Sequence, residues 1–361
     1  MSSVKYMLNP DLVKRQQMAV EYVQQPCEDT LGIVTWGTRG SKDVCAANKM
    51  HYGGNTSCWE LKSRFFHPEM KFYIDAGGGM QPAGEAAGPF IGDILRGLDH
   101  LVLIGFSHYH WDHIVGLPFS GYPFIDRTCL YVFGPKSGRI GPKEALEQGS
   151  LKKPFFPVPF QEIGHHFQFK GIRQTTTTVG LIHKDVLGIE WISKILYQKK
   201  MNNPKATVEI PRVHYSPEYR KKTTVSLREC TKIFMNSTFH PDPTITYCFE
   251  MPNGERFVLL TDHELQESVS LGMLQLLQDA DCMIVDCQYK FEEYKNMYTG
   301  WGHGCDEYVV TLAKKANIGF SLLHHHDPKR TDSGVDILTN NVAKSCPDTV
   351  AAGDYGILII K

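Results

Sequence analysis

No apolar run in the chain approaches the roughly 20 residues that a membrane-spanning helix needs, and residues 1–25 lack the apolar centre of a signal peptide. An excess of one charge is also missing. The 38 Lys and Arg stand against 39 Asp and Glu, so no global basic field argues for nucleic acid and no acidic tail is present. The ten cysteines show no C-x-x-C spacing, and Cys248, Cys282 and Cys287 lie inside apolar, strand-like runs. These features lead to the expectation of reduced, mostly buried thiols in a cytoplasmic protein without a membrane partner, and not of a disulfide framework. Internal repeats and low-complexity segments are absent apart from consecutive threonines at 175–178.

What is present is a pattern of strands and helices. Asn9-Pro10-Asp11 predicts a helix to about Gln24, closed by Pro26, and residues 1–30 read as an N-terminal helical extension. The rest, 31–361, reads as a single domain with an insertion at about 165–235. Strands are predicted at 32–36, 57–62, 71–74, 101–106 and 129–133, and helices at 91–98 and 142–148. A long irregular section follows, to about residue 231. Order returns with strands 244–250 and 256–260 around Asn253-Gly254, a strong hairpin signal. A helix at 270–278, a strand at 282–286, a helix at 306–316, a strand at 319–323, a helix after Asp332 and a strand at 356–360 complete an α/β pattern with mixed sheets.

One stretch carries the chemistry. In Ser107-His108-Tyr109-His110-Trp111-Asp112-His113-Ile114-Val115-Gly116, three histidines and an aspartate fall within six residues, directly after the apolar run 101–106. In an extended loop His108 and His110 project to the same side and can share one ion. Asp112 and His113 come after the chain begins to turn, where they can face a second. Imidazole and carboxylate without cysteine suit Zn²⁺ or Mn²⁺ in a hydrolytic site. Two ions need further ligands, and the candidates stand at strand ends: His240, Asp262, and one of His324-His325-His326 before Asp327-Pro328. Singly, His240 is as readily a loop histidine and Asp262 a helix N-cap. Together with the first loop they argue for a metal centre.

The H-x-H-x-D-H run resembles the signature of the metallo-β-lactamase superfamily. The order His108, His110, Asp112, His113, His240, Asp262, His325 is similar to its dinuclear phosphodiesterase branch, which includes tRNase Z, phosphoribosyl cyclic phosphodiesterases and bacterial cyclic-nucleotide phosphodiesterases. Supporting motifs are Gly37-Thr38-Arg39-Gly40-Ser41, Tyr52-Gly53-Gly54-Asn55-Thr56-Ser57, Asp75-Ala76-Gly77, Gln288-Tyr289 and Gly300-Trp301-Gly302-His303. The resemblance implies a four-layer αββα sandwich. It implies one metal on His108, His110 and His240, another on Asp112, His113 and His325, and Asp262 bridging both. His325 is preferred because it stands three residues before the proline. His303 resembles the histidine of a G-H-S/T motif that pairs with the first-loop aspartate, here Asp112, although Gly304-Cys305 replaces the Ser or Thr.

The resemblance further implies hydrolysis of a phosphodiester by metal-bound hydroxide, with Asp112 and His303 as catalytic residues and two divalent ions, Zn²⁺ or Mn²⁺, as cofactors. The leading substrate is a small-molecule cyclic nucleotide. The alternatives are an RNA 3′-processing endonuclease of the tRNase Z kind, or a carbon-centred hydrolase acting on a lactam, thioester or lactone. Asn55, Thr56 and Ser57 offer N–H groups and hydroxyls to phosphate or ribose, and Lys329, Arg330 and, more weakly, Arg39 offer charge. An RNA would use the basic stretch 194–222, for which a solvated insertion is the plainer account. A homodimer is expected by analogy with the superfamily.

Overall fold

Along each strand, apolar side chains alternate between two destinations, and this alternation builds the layers. Ile33, Leu61, Phe72 and Leu103 meet Tyr247, Phe249, Leu259 and Ile284 in a central core. Their neighbours Val34, Tyr73, Val102 and Ile104 face outward onto Ala19, Val23, Met80 and Ala83 in a second core. On the far side Val258, Leu260, Met283 and Val285 pack against Leu277, Val309, Leu312 and Val342. Because both faces of each sheet are covered, central strands such as His100–Gly105 and Cys282–Asp286 are almost continuously apolar rather than alternating with polar residues.

In the computed structural model, residues 3–88, 100–125, 127–214, 216, 221–264, 266 and 268–361 are described. One eight-stranded mixed sheet has the spatial order Val4–Met7, Gly356–Ile360, Leu31–Gly37, Cys58–Lys62, Met70–Ile74, His100–Gly105, Thr128–Pro135, Phe167–Ile172. The other runs Thr349–Ala351, Ser321–His324, Cys282–Asp286, Arg256–Leu260, Ile245–Glu250, Thr231–Ser237, Thr178–His183, Val186–Ser193. The last four strands of the first sheet are mutually parallel, as are the first four of the second. Helices Leu12–Gln24 and Met80–Ala86 cover one sheet, and Leu271–Leu277, Asp306–Ala316 and Asp332–Ala343 the other. This is the expected αββα sandwich.

Several elements differ from the sequence expectation. The chain starts with a strand, Val4–Met7, antiparallel to the C-terminal strand with Val4 opposite Ile360, so residues before the helix join the main sheet. The section read as irregular, and as an insertion over 165–235, supplies three sheet strands between 167 and 193 and a fourth at Thr231–Ser237. The helix Lys194–Met201, short turns at Thr175–Thr177 and Leu227–Glu229, and the hairpin Thr207–Pro211/Lys222–Ser226 stand outside both large sheets. The helix expected at 91–98 lies outside the described residues. The helix Leu12–Gln24 forms as expected, with Asp11 accepting from the Val13 and Lys14 amides. All ten cysteines are unpaired thiols.

Candidate metal centre

The first ligand loop leaves the strand His100–Gly105 beside the end of Met70–Ile74, where Asp75 adopts a left-handed φ of 58°. Asp75 organises the loop. Its Oδ1 accepts the Ser107 N–H at 2.8 Å, and its Oδ2 accepts the Ser107 and Ser57 hydroxyls at 3.0 and 3.2 Å. The same Oδ2 lies 2.7 Å from His113 Nδ1. With the Nδ1 proton held there, His113 presents Nε2 inward as a lone-pair donor. The short helix Trp111–Ile114 turns Asp112 and His113 into the protein and leaves Trp111 outside. Gly77 is required beneath it, because a Cβ there would lie 2.0 Å from the Asp112 carbonyl oxygen.

The remaining candidates arrive from the second sheet. His240 follows the strand Thr231–Ser237, and its Nδ1 lies 3.0 Å from the Thr244 hydroxyl. Asp262 follows Arg256–Leu260, and His325 follows Ser321–His324 with φ 59°. Gln288 Oε1 sits 3.0 Å from His325 Nδ1, again freeing Nε2. Gly40 makes room for this ring: a Cβ there would be 2.4 Å from its Nδ1. The flanking histidines point elsewhere. His324 packs edge-on against Trp59, and His326 Nε2 bonds the Ala352 carbonyl at 2.8 Å. Of the three, His325 alone reaches the cluster.

Asp262 divides its oxygens between two groups. Oδ2 lies 3.6 Å from His108 Nε2 and 4.0 Å from His240 Nε2. Oδ1 lies 3.4 Å from His113 Nε2 and 3.3 Å from His325 Nε2. Asp112 Oδ2 is 3.3 Å from both His113 Nε2 and His325 Nε2, and it accepts the Ser41 N–H at 2.7 Å. His110 completes the first group on its exposed side, with Nε2 2.8 Å from Asp242. The ligand atoms of His108, His110, His240 and Asp262 lie within 4.8 Å of one another, as do those of Asp112, His113 and His325.

The donor set fits divalent cations. His108 Nε2, His113 Nε2, His240 Nε2 and Asp262 Oδ1 are buried without a hydrogen-bond partner among the described residues. Each such atom costs about 1–3 kcal/mol, and here they converge on one place, which a cation on each side of Asp262 would account for. Burial, reinforced by His113, pushes the His108 pKa well down and keeps the imidazole in its ligating neutral form. Burial works against ionisation of Asp262, but His325, His113 and His108 hold its carboxyl well below the usual range.

Other expected residues are placed differently. His303 does not pair with Asp112. Its Nδ1 lies 3.1 Å from Asp286 Oδ2 and 3.7 Å from Asp262 Oδ2, because the Gln288 and Tyr289 amides clamp the Gly304 carbonyl beside the end of Cys282–Asp286. The loop expected to cradle phosphate is a strut. The Asn55 amide goes to Asp354, the Thr56 amide to Asp43, and the Ser57 hydroxyl to Asp75. The Thr56 hydroxyl accepts from Gly78. Arg39 is buried and donates to the carbonyls of Gly53, Lys49, Asp327 and Arg330. Arg330 pairs with Glu293 and the Gln288 carbonyl, while Lys329 stays exposed.

Three residues that position the site were not singled out from sequence: Asp75 beyond its motif, Asp286 and Glu264. Asp75 and Asp286 did carry a signal, since each ends an apolar strand as Asp262 does. Glu264 is buried, and its carboxylate accepts the amides of Gly300 and Gly302 and the Tyr294 hydroxyl. It thereby ties the segment carrying His303 to the His240 loop, whose Phe239 carbonyl accepts the Glu264 N–H.

Solved structures share this architecture. The metallo-β-lactamase fold protein YhfI from Bacillus subtilis matches at 15% identity with TM-score 0.54, covering 92% of this chain and 100% of that one. The chain has the metallo-β-lactamase fold. Unliganded yeast PDE1 matches at 12% identity and TM-score 0.57, covering 92% of this chain and 99% of its own. Human tRNase Z, short form, matches at 14% and 0.52, with 91% and 99% covered. No protein-family description matches the sequence, and no curated relative does. At these identities the metallo-β-lactamase likeness speaks for architecture alone, and the reaction has to be argued from the side chains.

Proposed function

We propose that the protein is a dinuclear metal-dependent phosphodiesterase and that its substrate is a cyclic nucleotide. The observation that carries this reading is the division of the Asp262 carboxylate, Oδ2 toward His108 and His240 and Oδ1 toward His113 and His325. His108, His110 and His240 would hold one ion, Asp112, His113 and His325 the other, with Asp262 shared. Two such ions supply a nucleophile from water near neutral pH and offset charge on phosphoryl oxygens.

The chain's own residues do the rest. Asp75 and Gln288 fix the orientation of His113 and His325 through their Nδ1 atoms. His303 keeps Nδ1 against Asp286, a carboxylate that would favour the imidazolium form, and the Nε2 proton of that imidazolium goes to the departing ester oxygen as general acid. Hydrolysis then adds hydroxide to phosphorus, breaks the P–O ester bond and places the proton on the leaving alkoxide.

A folded RNA is the second reading, favoured by Lys199 and half-buried Lys200 on the helix, Lys205 in the turn after it, and Lys221 and Lys222 at the hairpin outside the sheets. Small cyclic nucleotides are preferred because the net charge is only −1, and phosphate contacts to RNA demand a basic field.

Turnover of cyclic mono- and dinucleotides, ribose cyclic phosphates and precursor tRNA with Zn²⁺ or Mn²⁺, alongside metal analysis, tests the proposal. Hydrolysis of a cyclic nucleotide with about two ions per chain is expected. Cleavage of the tRNA alone, with steep loss of affinity in salt, would replace it with the RNA reading.

A further inference from the structure

Three exposed aromatic residues neighbour members of the metal centre in the chain. Trp111, Phe239 and Trp301 are 54%, 55% and 60% exposed, and each stands one or two residues from a member of the centre: His110 and Asp112, His240, and His303. Leaving so large an indole in water forfeits the burial that usually stabilises it. Scattered single exposed apolar residues need no explanation, but these flank one site.

Trp301 is the most deliberately built of them. Gly300 and Gly302 on either side both have φ 88°, a conformation that disfavours any other residue. The amides of these two glycines are held by the buried Glu264 carboxylate. Gly302 rests on the centre itself, since a Cβ there would lie 2.4 Å from His240 Cδ2. Behind Trp301 the rings continue inward. Tyr298 meets it edge-to-face at 5.5 Å, and Tyr289 stacks on Tyr298 at 4.1 Å and 5°. Tyr289 in turn lies 6.1 Å from the His303 ring. A rigid row of rings thus runs from the proposed general acid out to a solvent-facing indole.

From this arrangement we infer that Trp301 is the platform on which the planar base of the substrate lies while its phosphoryl group sits at the metal centre. The inference rests on the phosphodiesterase reading and adds a specificity residue to it. A molecule that is both anionic at one end and flat and aromatic at the other satisfies the two features together. Trp301 and His303 are two residues apart, so their Cα atoms lie within about 7.6 Å of each other, a spacing compatible with base and phosphoryl group of one nucleotide. Base–aromatic stacking tolerates any base, because every base has a π-face; purine and pyrimidine nucleotides are therefore both accepted.

The test is equilibrium binding of adenosine 5′-monophosphate and of ribose 5-phosphate to Mn²⁺-loaded protein, comparing wild type with Trp301→Ala and Trp301→Phe. Stacking of this kind corresponds to about a tenfold or greater rise in Kd for the nucleotide on truncation. The expected result is that rise for Trp301→Ala, most of the affinity kept by Trp301→Phe, and ribose 5-phosphate binding the same in all three. Unchanged nucleotide affinity, or equal loss for both ligands, overturns the inference. So does a change from dimer to monomer in Trp301→Ala with nucleotide binding intact, which would assign the indole to a second copy of the chain. Binding needs no turnover, so failure of the phosphodiesterase reading would show separately, as absence of hydrolysis despite base-dependent binding.

Discussion

Asp75 Oδ2 lies 2.7 Å from His113 Nδ1, and neither side chain is accessible to solvent. The pair couples the end of one parallel strand to the loop that leaves the next, and through it the backbone decides which nitrogen of His113 faces the centre. Such partners typically change metal affinity by about 10–100-fold when removed.

Asp75→Asn isolates this role, because Asn tolerates the left-handed φ of 58° that Asp75 adopts. We expect Zn²⁺ affinity to fall by about 10–100-fold with far-UV circular dichroism unchanged. Competition with a chromophoric chelator measures it. Wild-type affinity in the variant would mean that His113 is oriented without Asp75.

Much of this centre is legible in the sequence because ligands follow strand ends, and strand ends are visible as the termination of apolar runs at 101–106 and 256–260. Which of His324, His325 and His326 turns inward is not legible. It depends on the left-handed backbone at His325 and on the space over Gly40, a contact between residues far apart in the chain. The Asn55-Thr56-Ser57 loop misleads for the same reason: its donors are consumed by Asp354, Asp43 and Asp75, and local sequence cannot show distant acceptors. The strand Phe167–Ile172 escapes because it has only partly buried residues between its ends, which blurs the two-residue period. His303 is legible as a candidate, but the carboxylate it faces, Asp286, is set by strand order.

His303→Ala separates proton transfer from ligation. If His303 acts as general acid, oriented by Asp286 at 3.1 Å, turnover of a phosphodiester should fall by about 10²–10⁴-fold while metal content stays at the wild-type level. Plasma emission spectrometry on the variant distinguishes the alternatives. Loss of one ion in parallel with activity would make His303 and Asp286 part of a metal site with Asp262 and His325, a grouping the distances also permit.

Glu264→Ala removes the acceptor for the Gly300 and Gly302 amides and the Tyr294 hydroxyl. A hydrogen bond to a charged group contributes about 1.5–3 kcal/mol, and buried donors left unpaired add their own cost. Urea denaturation should therefore show a loss of at least about 2 kcal/mol. Glu264→Gln keeps an acceptor oxygen and should recover part of it. Equal stability of both variants and wild type would remove Glu264 from the support of the His303 segment.

The pH dependence of stability should carry a signature of Asp354. Burial pushes its carboxyl up to about 7, against the opposing amides of Asn55 and Gly54 and the charges of Arg15 and Arg39. The sign follows from linkage. Below the ordinary value of 3.8 the group is protonated in both states, whereas between 3.8 and about 7 the unfolded chain releases the proton and the folded one retains it. The unfolded state then binds fewer protons, so the contribution of Asp354 to stability is complete at the acid end and is lost as pH rises through that window. Asp354→Asn keeps a carbonyl oxygen for the Gly54 and Asn55 amides but does not titrate. Thermal midpoints of both proteins, taken in chelator so that protonation of the ligand histidines is common to them, should diverge from pH 4 to 7 with wild type losing ground to the variant. Parallel curves across that range would show that Asp354 ionises in the fold as readily as in the unfolded chain.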